Sequence, residues 1–198
     1  MNLLTHITMA EIIYEQVKNQ LPLDKNAFVF GNIKPDLTRK LLRSAHIMDH
    51  YLIHVSNQTK VLMRGELPPK ELSYELGKLC HYVCDFFCKY HLNYDLFTLY
   101  GNHFFYEWKL DFHLRTADYR KWKPLYTIEE SRSVADFIFD MRRAYLSEKN
   151  TDDKDVRYAV SASIWLCQSV FHFLLEDSRE LENQHLQANS VLPMAGGQ

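Results

Sequence analysis

His81 and Asp85 stand four residues apart, and His103 and Glu107 repeat the same H-x-x-x-[D/E] spacing further along the chain. On a helix that spacing places two side chains about one turn apart on one face, close enough to share one cation. Imidazole nitrogen and carboxylate oxygen are donors that zinc accepts. A single such pair is weak, because it is most often an intrahelical hydrogen bond. Two pairs on successive helices present two imidazoles and two carboxylates. His91, six residues after Asp85, falls near the end of its helix and could serve a second ion. Asp36 follows a proline and His6 precedes a helix, positions from which the backbone can aim a side chain inward without disturbing a helix interior. His46 and His50, one turn apart after Asp36, are both candidates. His54, His113, His172 and His185 are read instead as structural histidines that donate to backbone carbonyls beside apolar residues.

These residues need helices to position them, and the sequence supplies a series. Thr8-Met9-Ala10-Glu11 has the form of a capping box, and Ile12, Ile13, Val17 and Leu21 then recur at helical spacing, so the first helix is expected just after His6. Pro22, Gly31-Asn32 and Pro35-Asp36 punctuate residues 22–44, where Ala27-Phe28-Val29-Phe30 reads as a buried loop or a fragment of strand. Helices are expected over residues 46–63, 70–89 and 102–117, with residues 93–101 as a loop. A second capping box, Thr127-Ile128-Glu129-Glu130, opens a helix to about residue 147, and a core-packing helix covers about 153–182.

The 198 residues suit one domain, drawn at 1–186 with a mobile tail at 187–198. Hydrophobic residues at 46% and charged residues at 24% exclude a disordered or low-complexity chain. Six glycines and six prolines are too few for a many-stranded β-fold, so the class is all-α. A net charge of −2 gives no basic footprint, and no stable nucleic-acid complex is expected. The N-terminus lacks the features of a signal peptide, and no uninterrupted apolar run approaches the roughly 20 residues of a transmembrane segment. The expectation is a cytoplasmic protein. Cys80, Cys84, Cys88 and Cys167 are then read as reduced, buried small hydrophobes.

The run His81-Tyr82-Val83-Cys84-Asp85-Phe86-Phe87-Cys88-Lys89-Tyr90-His91 is followed by His103-Phe104-Phe105-Tyr106-Glu107 and preceded by Gly31-Asn32-Ile33-Lys34-Pro35-Asp36. In order, residue type and spacing this resembles the zinc-dependent phospholipase C family, which is related in fold to the P1 and S1 single-strand-specific nucleases. The resemblance runs from His6 to Glu107 and implies a multi-helix all-α fold with up to three zinc ions in a cleft. It implies that Asp36, His46, His81 and Asp85 hold a first zinc, with His46 favoured over His50, and that Asp85 bridges to a second zinc also bound by His6. His91, His103 and Glu107 would hold the third.

The implied reaction is hydrolysis of a phosphodiester or phospholipid. Hydroxide activated between two bridged cations would attack phosphorus, the third ion would offset transition-state charge, and Asp36 would act as general base. Secreted members complete the second site with an N-terminal tryptophan exposed by removal of a leader. Neither is recognisable here, so the second site is either completed differently, for which the Met1 amine is one candidate, or weak. Of Tyr82, Phe86, Phe87, Tyr90, Phe104, Phe105, Tyr106 and Trp108, a minority are expected to line a cleft and most to be core. Two alternatives use the same residues: a metal-stabilised helical binding or regulatory protein without turnover, and a nuclease-like phosphodiesterase. A ferritin-like di-iron site needs paired Glu-x-x-His motifs, and only Glu182-x-x-His185 has that order.

Overall fold

The computed structural model describes residues 1–38, 46–116, 124–126, 133–151 and 153–190, of which residues 100 and 181–190 are described by their backbone alone. The described residues contain helices and no strand: α1 (Leu3–Val17), α2 (Lys25–Leu37), α3 (Met48–Leu62), α4 (Pro69–Phe86), a 3-10 turn (Lys89–His91), α5 (Tyr94–Phe97), α6 (Tyr100–Thr116), α7 (Val134–Ser147) and α8 (Lys154–Ser190). The all-α class expected from the scarcity of glycine and proline holds.

α4 is the central element, packing against α1, α2, α3 and α8. Its periodicity suggests one apolar side, yet every residue from Leu79 to Cys88 is buried, His81 and Asp85 among them at 0% exposure. A helix surrounded on all sides can hold ionisable groups only where its neighbours answer them. α8 has a stretch within Lys154–Glu180 long and apolar enough to cross a membrane by length and composition, but 67% of it is buried within the protein, as in a core helix.

Several sequence expectations are corrected. The first helix begins at Leu3, because Asn2 caps it by accepting from the Thr5 amide at 2.9 Å. Thr8 caps nothing and donates to the Leu4 carbonyl, so His6 lies inside α1, on its buried face. Residues 25–37 form α2 rather than a loop or strand: Asp24 caps it at the Ala27 amide, and Pro35 sits in the last turn. His46 precedes α3 instead of lying on it. His54 and His172 are exposed rather than core histidines, and His172 meets Glu176 at 3.2 Å. Phe104, Phe105 and Trp108 are 66%, 69% and 64% exposed, since α6 turns His103, Glu107, Leu110 and Leu114 inward. Tyr82, Phe86 and Phe87 are core as expected. All four cysteines are buried and free. The second capping box at residues 127–130 and the end of the tail lie outside the described residues.

The crossing of α2 and α4 positions the centre of the molecule. A Cβ at Gly31 would stand 2.0 Å from the Tyr74 carbonyl oxygen, and one at Gly77 would stand 2.2 Å from the Phe28 carbonyl oxygen. The two glycines let the backbones touch, and that contact brings Asn32 and Asp36 against His81. Ala at either position should therefore destabilise the fold by about 1–3 kcal/mol by overpacking. Thermal unfolding tests this, and an unchanged melting temperature for both variants would show that the crossing is not tight.

Candidate metal centre

Asp85 sits at the convergence of four segments. His6 Nε2 from α1 is 3.3 Å from its Oδ1, and His46 Nδ1 is 3.0 Å from its Oδ2. His81 Nε2, one turn before it on α4, is 3.5 Å from Oδ2, and His91 Nδ1 from the 3-10 turn is 3.4 Å from the same atom. The Met1 nitrogen contacts Oδ1 and also lies 2.9 Å from His91 Nε2 and 3.3 Å from Glu107 Oε1. Asp36 approaches His81 Nε2 at 3.6 Å from a half-buried position. His103 Nε2 reaches Glu107 Oε1 at 2.7 Å. All eight residues singled out as ligands are thus brought together, whereas His50 is exposed. Leaving α3 to begin at Met48 lets His46 enter the centre, where it lies 2.9 Å from His81.

The imidazoles are oriented from behind. His81 Nδ1 donates to the Asn32 carbonyl at 2.7 Å, which leaves the Nε2 lone pair facing the centre. His6 Nδ1 donates to the Asn32 side-chain oxygen at 3.2 Å, with the same result. One residue of α2 therefore sets two tautomers. His6 Nε2, His46 Nε2 and His91 Nδ1 are buried and make no hydrogen bond among the described residues. Three donor groups, His6/His81/Asp85, Asp36/His46/His81 and Cys88/His91/Glu107, each converge to within 4.8 Å. Unpartnered buried nitrogens around ionised carboxylates are a donor set that fits zinc.

The electrostatics agree. Burial pushes the Asp85 carboxyl up, but His91, the Met1 ammonium, His6 and the hydrogen bond from His46 hold it well below the usual carboxylate range. Glu107 is likewise lowered against its own burial by the Met1 ammonium and by His103 and His91. Burial lowers His81 well below its ordinary value, reinforced by His6, and it lowers His91 to about 4 despite Asp85. Neutral imidazoles beside ionised carboxylates are the protonation states a zinc site requires. Burial raises Asp36 above its usual value against the pull of His6.

A polar brace absent from the sequence reading holds the 3-10 turn and α6. Asp155 of α8 accepts from the Lys89 amide at 2.7 Å, the Tyr106 hydroxyl at 2.6 Å and the Tyr145 hydroxyl at 2.7 Å. It joins the turn bearing His91 to the helix bearing Glu107. Arg142 of α7 donates to the Phe86 and Leu92 carbonyls, spanning the same turn. Asn32, Arg142 and Asp155 act through groups distant in the sequence, and no spacing rule marks them.

Asn32→Leu removes the acceptor for His6 while keeping the carbonyl for His81. Zinc affinity, read by chelator competition, should fall about 10–100-fold, and wild-type affinity would contradict the orienting role. In the metal-free protein, the unfolded chain takes up imidazole protons near 6.5, whereas folded His91 resists protonation until about 4. Its stability in denaturant titrations should therefore decline as pH falls from 6.5 towards 4. A flat profile across that window would contradict the burial of neutral imidazole.

Comparison with curated proteins and with solved structures returned no match. The family model described as zinc dependent phospholipase C matches residues 5–152, which include every one of these donors except the Met1 nitrogen. With that match over most of its length and a centre built of the donors such an enzyme needs, the chain belongs to the zinc-dependent phospholipase C family.

Proposed function

We propose that the protein is a zinc-dependent phosphoric ester hydrolase that cleaves a phosphodiester, of a phospholipid or of a related ester, in a centre of up to three zinc ions. The observation that carries this reading is the pair of unpartnered, buried nitrogens, His6 Nε2 and His91 Nδ1, beside the ionised Asp85. Zinc bound there would supply Lewis acidity towards a phosphoryl oxygen and lower the pKa of a water to near neutrality.

The chain's own residues do the rest. Asp85 presents Oδ1 towards His6 and Oδ2 towards His46, His81 and His91, an arrangement suited to bridging two cations. Asp36 is the most exposed of the donors at 21% and borders His81, so it can accept a proton from an attacking water while in contact with solvent. Its raised pKa makes it a better base than an ordinary carboxylate. His91, His103 and Glu107 form a neighbouring donor group, whose zinc would hold non-bridging phosphate oxygens. The Met1 nitrogen, placed between Asp85, His91 and Glu107, is positioned to donate its lone pair to an ion once deprotonated.

Asp85→Asn should lose bound zinc and all hydrolysis of bis(nitrophenyl)phosphate and of a phosphorylcholine ester, while His50→Ala should keep both. Asp36→Asn should reduce turnover by about 10²–10⁴-fold, as expected for loss of a general base. An Asp85→Asn variant with full zinc and wild-type turnover would contradict the assignment. Wild-type protein that holds zinc yet hydrolyses no phosphodiester, single-stranded DNA or phosphomonoester would favour the metal-stabilised binding protein instead.

A further inference from the structure

Cys88 was read from the sequence as a core thiol, but its place in the structure is at the metal centre. α4 ends at Phe86, and the chain then makes a tight turn in which the Cys88 amide donates to the Asp85 carbonyl at 3.0 Å and the His91 amide to the Cys88 carbonyl at 2.9 Å. Asp85 closes the last turn of α4, Cys88 is extended and His91 lies in the 3-10 turn, so the change of direction after α4 carries both Cys88 and His91 to the end of the helix beside Asp85. There a ligand atom of each of Cys88, His91 and Glu107 lies within 4.8 Å of the other two.

The other thiols of α4 are engaged elsewhere. Cys80 is 3.6 Å from the sulfur of Cys167, and Cys84 is 3.5 Å from the Ser163 hydroxyl. The Cys88 thiol, fully buried, makes no hydrogen bond among the described residues. Beside it His91, 5% exposed, turns Nε2 towards Glu107 Oε1 at 3.5 Å, while its buried Nδ1, without a hydrogen-bond partner, faces Asp85 Oδ2 at 3.4 Å. A buried sulfur, a buried imidazole nitrogen and a buried carboxylate within 4.8 Å of one another form a mixed donor set. Zinc takes such sets of sulfur, nitrogen and oxygen, and magnesium or calcium does not.

We infer that Cys88 is a thiolate ligand of the zinc held by His91 and Glu107, which makes this site one of sulfur, nitrogen and oxygen donors rather than of nitrogen and oxygen alone. The inference rests on the metal-centre reading above and adds to it a donor that the histidine and carboxylate spacing does not contain. When zinc binds, the S–H bond breaks, the electron pair passes to the metal as a zinc–sulfur bond, and the proton leaves to solvent. Arg142 and Asp155 hold the turn that aims the sulfur. His103, hydrogen-bonded to Glu107, can complete the coordination.

Replacing zinc by cobalt(II) in the full chain tests this directly. The wild type should show a near-ultraviolet thiolate-to-cobalt charge-transfer band that is absent in Cys88→Ser and retained in Cys84→Ser. Zinc-edge X-ray absorption of the unsubstituted protein, which needs no variant to fold, should contain a zinc–sulfur distance of about 2.3 Å. Bound cobalt without the band, a band that survives in Cys88→Ser, or a zinc shell of nitrogen and oxygen alone would overturn the role of Cys88 and leave the metal centre standing. Failure of the wild type to bind either metal would overturn both.

Discussion

A fully buried carboxylate on the central helix is the constraint around which this protein is built. Asp85 has no access to water, and an ionised carboxyl in such a place is sustained only by positive charge and hydrogen bonds around it. Four imidazoles and a backbone nitrogen close on it from α1, α4, the segment before α3 and the 3-10 turn. Two of those imidazoles have a nitrogen beside the carboxylate with no hydrogen-bond partner among the described residues. An arrangement that serves stability alone would pair those atoms or replace them with apolar groups. Keeping them unpaired around a carboxylate makes sense when a cation completes the set.

The surrounding fold serves that centre in two ways. On one side the glycine contacts between α2 and α4 bring the backbone of α2 close enough for Asn32 to orient both His6 and His81. On the other, Asp155 and Arg142 tie the turn after α4 to α6, α7 and α8, so that His91 and Glu107 face one another. The donors thus come from residues 1–107, while part of their support comes from the last helix.

Part of this was legible in the sequence. The His81/Asp85 and His103/Glu107 spacings are local to single helices, so they survive translation from sequence to structure. Spacing alone left His46 and His50 as a pair and the family resemblance favoured His46; the structure separates them because α3 begins only at Met48. The α2 segment was misread because Gly31 and Pro35 act there as a close-contact residue and a last-turn residue, although both commonly mark loops. The start of α1 was misread because Thr8 and Glu11 match a capping pattern that Asn2 pre-empts. Arg142 and Asp155 left no signal, and Asn32 stood in the family-like run without its orienting role being visible, since each acts on groups that only tertiary structure brings near. Cys88 was hidden in the i, i+4, i+8 series of cysteines, because its distance from the other two thiols depends on α4 ending at Phe86.

The most direct test of the account is the zinc stoichiometry of the intact chain by native mass spectrometry, before and after exposure to a strong chelator. The account predicts two or three zinc ions per chain that chelation removes and added zinc restores. A chain that carries no zinc after loading, with its fold unaffected, would contradict it.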